Sequence, residues 1–143
     1  MYKLYVKENT SSKDLLEYVL RGNNVNNSII YNKYGKPYLK GNELYFNISN
    51  KDNITVCIVS DKEVGIDIER IIYKERVINR ICTEEEKRII KTPEDFTKIW
   101  VKKESYVKYL GIGLEYGLKN INTIALNNFK LLKIKDYYIS ICY

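Results

Sequence analysis

The chain has 143 residues, 45% apolar and 29% charged, with 24 basic against 18 acidic side chains and a formal charge of +6. That length suits one domain around a single core, and the composition excludes a disordered or low-complexity chain. The charge favours an anionic partner, while the absence of histidine beside three scattered cysteines excludes the usual zinc sites.

Tyr2, Leu4 and Val6 alternate with Lys3, Tyr5 and Lys7, which predicts a half-buried strand. Ser11 or Ser12 caps a helix whose apolar face is Leu15, Leu16, Val19 and Leu20, and Gly22 ends it. Residues 28–31 read as a short strand and Gly35-Lys36-Pro37 as a turn. Strands are expected at about 43–48, 54–60 and 63–69. The second, Ile54-Thr55-Val56-Cys57-Ile58-Val59, is apolar on both faces and therefore central. Asp61-Lys62 reads as a hairpin turn joining it to the third.

The pattern then becomes helical. One helix is expected over 73–81, and Thr83 with Glu86 forms a capping box for the next. Thr92-Pro93 opens a helix that runs to about Leu110 and is stopped by Gly111 and Gly113. Strands at about 120–126, 129–135 and 137–142 close the chain. This order predicts an α+β fold, antiparallel sheet with packed helices. The 14 tyrosines are scattered through strand-like segments, which suits half-buried strand positions better than a base-stacking platform. Cys57, Cys82 and Cys142 read as free buried thiols of a reducing compartment. The first residues lack a signal-peptide pattern and no apolar run is long enough to cross a bilayer, so the expected location is the cytoplasm, away from membranes.

Two segments carry chemistry. In Gly65-Ile66-Asp67-Ile68-Glu69, strand alternation sends Asp67 and Glu69 to one face and Ile66 and Ile68 to the core. Two adjacent carboxylates repel unless a cation or proton lies between them, and a hard, oxygen-seeking ion such as Mg²⁺ answers that need. In Trp100-Val101-Lys102-Lys103-Glu104-Ser105-Tyr106-Val107-Lys108, spacing by four sets Trp100, Glu104 and Lys108 on one helix face. Lys103 is offset from that stripe, with a phosphate contact and a solvated position as its alternatives. The bland readings are a solvated acidic strand face, a surface Glu–Lys pair, and Trp100 as a core anchor.

These segments, with Gly111-Ile112-Gly113-Leu114, Tyr34-Gly35-Lys36-Pro37 and Phe46-Asn47-Ile48-Ser49, resemble in order and spacing the motifs of the 4′-phosphopantetheinyl transferase superfamily, in particular its surfactin-synthetase-activating (Sfp-type) branch. The resemblance covers about residues 28–143. It implies a phosphopantetheinyl-transferase-like fold in a single domain, with residues 1–62 as a shortened N-terminal half and 63–143 as a complete catalytic half. It also implies transfer of the 4′-phosphopantetheine arm of coenzyme A to a serine of an apo acyl or peptidyl carrier protein, with 3′,5′-ADP leaving.

By the same resemblance, Asp67, Glu69 and Glu104 match Mg²⁺ ligands, with Mn²⁺ an alternative ion. Asp67, Glu104 and Lys108 are the catalytic residues: Glu104 as base on the carrier serine, Lys108 on the phosphate and leaving group. Lys36 and Pro37 match residues near the adenine, and Ser49 lies in the motif that lines the pyrophosphate. Asn50 stands where the family usually has a phosphate-contacting histidine, so lower coenzyme A affinity or turnover is expected, and Ile112 stands where a basic residue is frequent, so one phosphate or carrier contact is expected to be missing. Lys103 and Lys108 complete the expected coenzyme A contacts. Lys13 and Arg21 stand in for the 3′-phosphate grip that the short N-terminal half does not supply by motif.

The competing classes are a non-catalytic relative that binds coenzyme A or carrier protein, and a basic nucleic-acid-binding module. The first is opposed by the intact set Asp67, Glu69, Glu104 and Lys108. The second is opposed by the paired carboxylates, which repel a phosphate backbone. The expectation is a monomer rather than an oligomer, with no nucleic-acid partner.

Overall fold

Strand β5, Ile54–Ser60, is buried along its whole length because each of its faces has a different core to fill. On one side Cys57 and Val59 pack with Leu39, Phe46 and with Leu15 and Val19 of helix α1, Ser12–Gly22. On the other, Ile54, Val56 and Ile58 pack with Val64, Ile66, Ile68, Ile139 and Ile141. The computed structural model describes residues 1–41, 43–113 and 117–143. Leu114, the last residue of the Gly111–Leu114 motif, lies outside the described residues.

The first sheet is antiparallel, with β5 between β1, Tyr2–Glu8, and β4, Tyr45–Lys51. Short strands β2, Ile29–Tyr31, and β3, Pro37–Leu39, pair with each other. The second antiparallel sheet has β8, Tyr137–Cys142, between β6, Gly65–Arg70, and β7, Phe129–Ile134. Helices α2, Glu75–Ile81, and α3, Glu84–Ile89, precede α4, Pro93–Leu110, which packs on β6 and β8. A third apolar cluster of Ile78, Ile81, Cys82, Phe96 and Ile99 ties α2 to α4. The fold is thus α+β with antiparallel sheets and packed helices.

Gly65 sets the distance between β6 and α4. A Cβ there would lie 2.2 Å from the Ser105 carbonyl oxygen and 2.4 Å from the Tyr109 nitrogen, so only glycine admits the helix this close. Ser105 Oγ ties the same helix to β8 by donating to Ser140 Oγ at 2.8 Å.

Three expectations about secondary structure are corrected. Asp61-Lys62 is not a hairpin turn, because β5 and β6 belong to different sheets. Both edges of β5 are already taken, by β1 and β4. Residues 120–126 form no strand; a 3₁₀ turn at Leu118–Asn120 is followed by irregular chain. Finally, the turn falls before Gly35-Lys36-Pro37: the Gly35 N–H closes it on the Asn32 carbonyl, and Pro37 is already in β3, paired with Tyr31.

Candidate active site

Although β4 and β6 lie in different sheets, their side chains meet along a row. The odd-numbered residues of β4 face β6. Asn47 Oδ1 accepts from the Ile66 backbone N–H at 2.8 Å, and Ser49 Oγ donates to Asp67 Oδ1 at 2.9 Å. Lys51 Nζ lies 3.2 Å from Glu69 Oε2. The alternation in β6 is as the sequence predicts: Ile66 and Ile68 are fully buried in the core, and Asp67 and Glu69 project to the opposite face, toward α4.

Helix α4 supplies the other wall. Thr92 caps it in a capping box with Asp95, Pro93 starts it, and Gly111 ends it in the left-handed region at φ 67°. The spacing by four holds: Trp100 Nε1 donates to Glu104 Oε1 at 3.3 Å, and Lys108 Nζ donates to Asp67 Oδ1 at 3.0 Å. Trp100 is half-buried and stacks on Phe96 with ring centroids 5.5 Å apart, so it anchors the core and the carboxylate together.

The electrostatics are unbalanced toward negative charge. Burial raises the Asp67 carboxyl above its usual range, although Lys108 and Ser49 oppose it. Burial, then the charge of Asp67, raises Glu69 against the pull of Lys51. Burial and the charge of Asp67 lift Glu104 to about 7, against Lys108 and the Trp100 hydrogen bond. Each carboxylate is near enough to feel its neighbours. Asp67 Oδ2 is buried without a hydrogen-bond partner, an uncommon condition for a buried carboxylate oxygen and one that suits a cation ligand. Among the described residues, no three His, Cys, Asp or Glu side chains converge as a ready metal cage. The positive charge beside the carboxylates comes from Lys108 and Lys51.

Two clefts meet at Glu104. One, of about 270 Å³, is lined by residues 34–37, Asn47, Ile48, Val107, Lys108, Gly111 and Gly113 as well as Glu104. The other, of about 340 Å³, is lined by Arg80, Ile81, Trp100, Gly117, Leu118, Lys119 and Glu104. Beside them, Lys74, Arg76 and Arg80 line a basic surface groove on α2.

Most residues expected at the site are brought together: Asp67, Glu69, Glu104, Lys108 and Ser49 around the carboxylates, Lys36 and Pro37 on the wall of the first cleft. Two of the expected residues lie apart from that group, and a third turns its amine away from it. Lys103 is fully buried, with its amine on Glu86 Oε1 at 2.7 Å and on the carbonyls of Leu118 at 2.9 Å and Ile121 at 2.6 Å; neither a phosphate contact nor a solvated role fits. Asn50, an even-numbered residue of β4, faces away from Ser49 and donates to Ser12 Oγ at 2.8 Å, outside the cleft that Glu104 and Lys108 line. Lys36 reaches the cleft with its stem, but its amine turns inward to Glu63 and to the carbonyls of Val64 and Tyr109, and burial lowers its pKa. Lys51, which no motif singled out, is the residue the sequence reading missed. The signal was there in the strand period: Asn47, Ser49 and Lys51 share one face.

The β4–β6–α4 unit sets buried carboxylates against a lysine at a cleft, an arrangement that can take a cation or an anionic oxygen. The sequence model of the 4′-phosphopantetheinyl transferase superfamily matches residues 63–139, which contain β6, α4 and most of the second sheet. The chain belongs to that superfamily. It is 35% identical over 98 residues to the 4′-phosphopantetheinyl transferase gsp of Aneurinibacillus migulanus, covering 62% of this chain and 41% of that protein. It is 32% identical over 119 residues to a 4′-phosphopantetheinyl transferase of Bacillus subtilis, covering 76% and 49%. It is 34% identical over 133 residues to the L-aminoadipate-semialdehyde dehydrogenase-phosphopantetheinyl transferase of Candida glabrata, covering 71% and 49%. The chain spans about half the length of the curated relatives it matches. Among the described residues no helix is long and apolar enough to cross a membrane.

Proposed function

We propose that this chain transfers the 4′-phosphopantetheine arm of coenzyme A to a serine hydroxyl of an apo acyl or peptidyl carrier protein, with 3′,5′-ADP leaving. The observation that carries the reading is the position of Glu104 between two clefts. One cleft, floored by Lys108, takes the donor, and the other admits the acceptor hydroxyl to the same carboxylate. Family membership and the names of the relatives support the same reaction.

Glu104, at the mouth shared by the two clefts, accepts the serine proton. Lys108 exchanges Asp67 for a phosphate oxygen and stabilises charge on the leaving group. The stem of Lys36 and the ring of Pro37 shape the far end of the donor cleft. Asp67, Glu69 and Glu104 would hold a divalent cation, and the unpartnered Asp67 Oδ2 fits that role. When bound, Mg²⁺ or Mn²⁺ supplies electrostatic stabilisation to the transferring phosphate. The protein acts in this reading as a cytoplasmic monomer.

The test is incubation with coenzyme A, Mg²⁺ and an apo carrier protein, followed by the intact mass of the carrier. A mass gain of one phosphopantetheine is expected. An unmodified carrier with folded protein and several carrier types would sink the assignment.

A further inference from the structure

The polar row on β4 does not end at Ser49. Lys51 is the next residue on that face, and its amine lies 3.2 Å from Glu69 Oε2. The same amine is 6.0 Å from the Trp100 ring, whose Nε1 donates to Glu104. The contact with Glu69 is one of charge rather than a directed bond, for Oε2 has no aligned hydrogen-bond donor. The two partners differ in exposure: the Glu69 side chain is 12% exposed and that of Lys51 39%. Lys51 therefore reaches inward from the rim and can swing back to water at small cost, whereas Glu69 is fixed on its strand.

Resting on the transferase reading above, we propose that Lys51 is a built-in competitor for Glu69, which must let go before that carboxylate joins Asp67 and Glu104 around a divalent cation, and which thereby sets the affinity of the site for the ion. The exchange lowers the negative excess at the site. Three carboxylates face Lys108 and Lys51 in the free protein; a divalent ion would replace the single charge of Lys51 with two while Lys108 stays. Lys51 acts through Glu69 and is a positioning residue, touching no reacting atom.

The chain has a single tryptophan, Trp100, hydrogen-bonded to Glu104, so terbium(III) bound beside Glu104 is sensitised by it. Terbium luminescence titrations, with Mn²⁺ as competitor, read the site without any turnover. Lys51→Met should tighten terbium and Mn²⁺ binding about tenfold, the effect of removing one competing unit charge at a partly buried pair. Lys51→Arg should restore the weaker affinity. The gain must vanish in the double variant Lys51→Met with Glu69→Gln. Glu69→Gln alone should cost less affinity than it does in the Lys51→Met background. Unchanged or weakened binding in Lys51→Met, a gain that survives Glu69→Gln, or no binding in any variant each overturns the proposal. The carrier mass assay on the same variants separates the two readings. Transfer that depends on divalent ions without a Lys51 effect on affinity leaves the function standing and removes only this inference. Absent transfer with intact Lys51–Glu69 coupling does the reverse.

Discussion

Helix α4 presents two lysine–carboxylate pairs that differ in how completely they are satisfied. Lys103 and Glu86 are both fully buried. Glu86 accepts from Lys103 at 2.7 Å, from the Thr123 hydroxyl and N–H at 2.5 and 3.1 Å, and from the Thr83 N–H at 2.8 Å. Burial pushes its carboxyl up, but these bonds outweigh burial and hold it below the usual range. Lys108 and Asp67, on another side of the helix, are left incomplete. One Asp67 oxygen takes both Lys108 and Ser49, the other takes nothing, and burial prevails. The saturated pair fixes the chain over 118–123 onto α3 and α4; the unsaturated one keeps acceptor capacity for a ligand.

That contrast is broken or confirmed by paired substitutions. The largest effect falls on the reaction: Asp67→Asn and Glu104→Gln should each lower carrier modification at least about a thousandfold, about 4 kcal/mol in barrier. Neither should reduce the melting temperature, because each relieves repulsion among buried carboxylates. Next comes stability. Lys103→Met strands Glu86 as a buried unpaired charge and should cost about 3 kcal/mol in a denaturant titration. Adding Glu86→Gln to Lys103→Met should recover much of that loss. If Asp67→Asn destabilised the protein as much as Lys103→Met, the division into a ligand site and a fastening would fail.

The two regions also differ in the sign of their pH dependence. Glu104 has a folded pKa of about 7, above its unfolded value. Its contribution is therefore complete below about pH 4.3 and is lost as pH rises toward and through 7. Glu86 has a depressed pKa, so its contribution is present above the unfolded value and lost as pH falls through the folded one. Without divalent ions, stability should decline by on the order of 2 kcal/mol between pH 5 and 8, screening included. Glu104→Gln should reduce that decline, the remainder belonging to Asp67 and Glu69, whose carboxyls burial also raises, and leave the acid-side loss due to Glu86 untouched. Urea midpoints across pH measure both.

Much of the carboxylate site was legible because its signals are local. A period of two set Asp67 and Glu69 apart from Ile66 and Ile68, and a spacing of four aligned Trp100, Glu104 and Lys108. The misses all involve partners distant in the chain. The partners that close both edges of β5 do not show in the short link at Asp61-Lys62. Ile121 and Thr123 alternate like a strand, yet Lys103 takes the Ile121 carbonyl and Glu86 takes Thr123, so the segment is held by side chains in place of a ladder. Lys103 showed only that it was offset from the Glu104 stripe; its partner Glu86 lies on another helix. Lys51 was readable from β4 alone, but its meaning depends on β6 running beside a strand of another sheet.

The smallest expected effects give the finest comparison, because each pair includes one hydroxyl donor to a buried carboxylate. Thr123 Oγ1 donates to Glu86 Oε2, and Ser49 Oγ donates to Asp67 Oδ1 at 2.9 Å. Thr123→Val keeps the shape and removes one bond to a charged, saturated group. It should cost about 1–2 kcal/mol of stability, with turnover per folded molecule unchanged. Ser49→Ala removes a bond that holds the Asp67 carboxyl down, so that pKa rises further. Protonated Asp67 is a poorer partner for Lys108 and for a cation. The acid limb of the rate profile should therefore move to higher pH, with little change in melting temperature. Rates measured from pH 5.5 to 8.5 beside thermal melts decide it. Equal losses of stability in both variants, with no movement of the acid limb in Ser49→Ala, would mean that both hydroxyls merely complete buried hydrogen bonds and that Asp67 is as structural as Glu86.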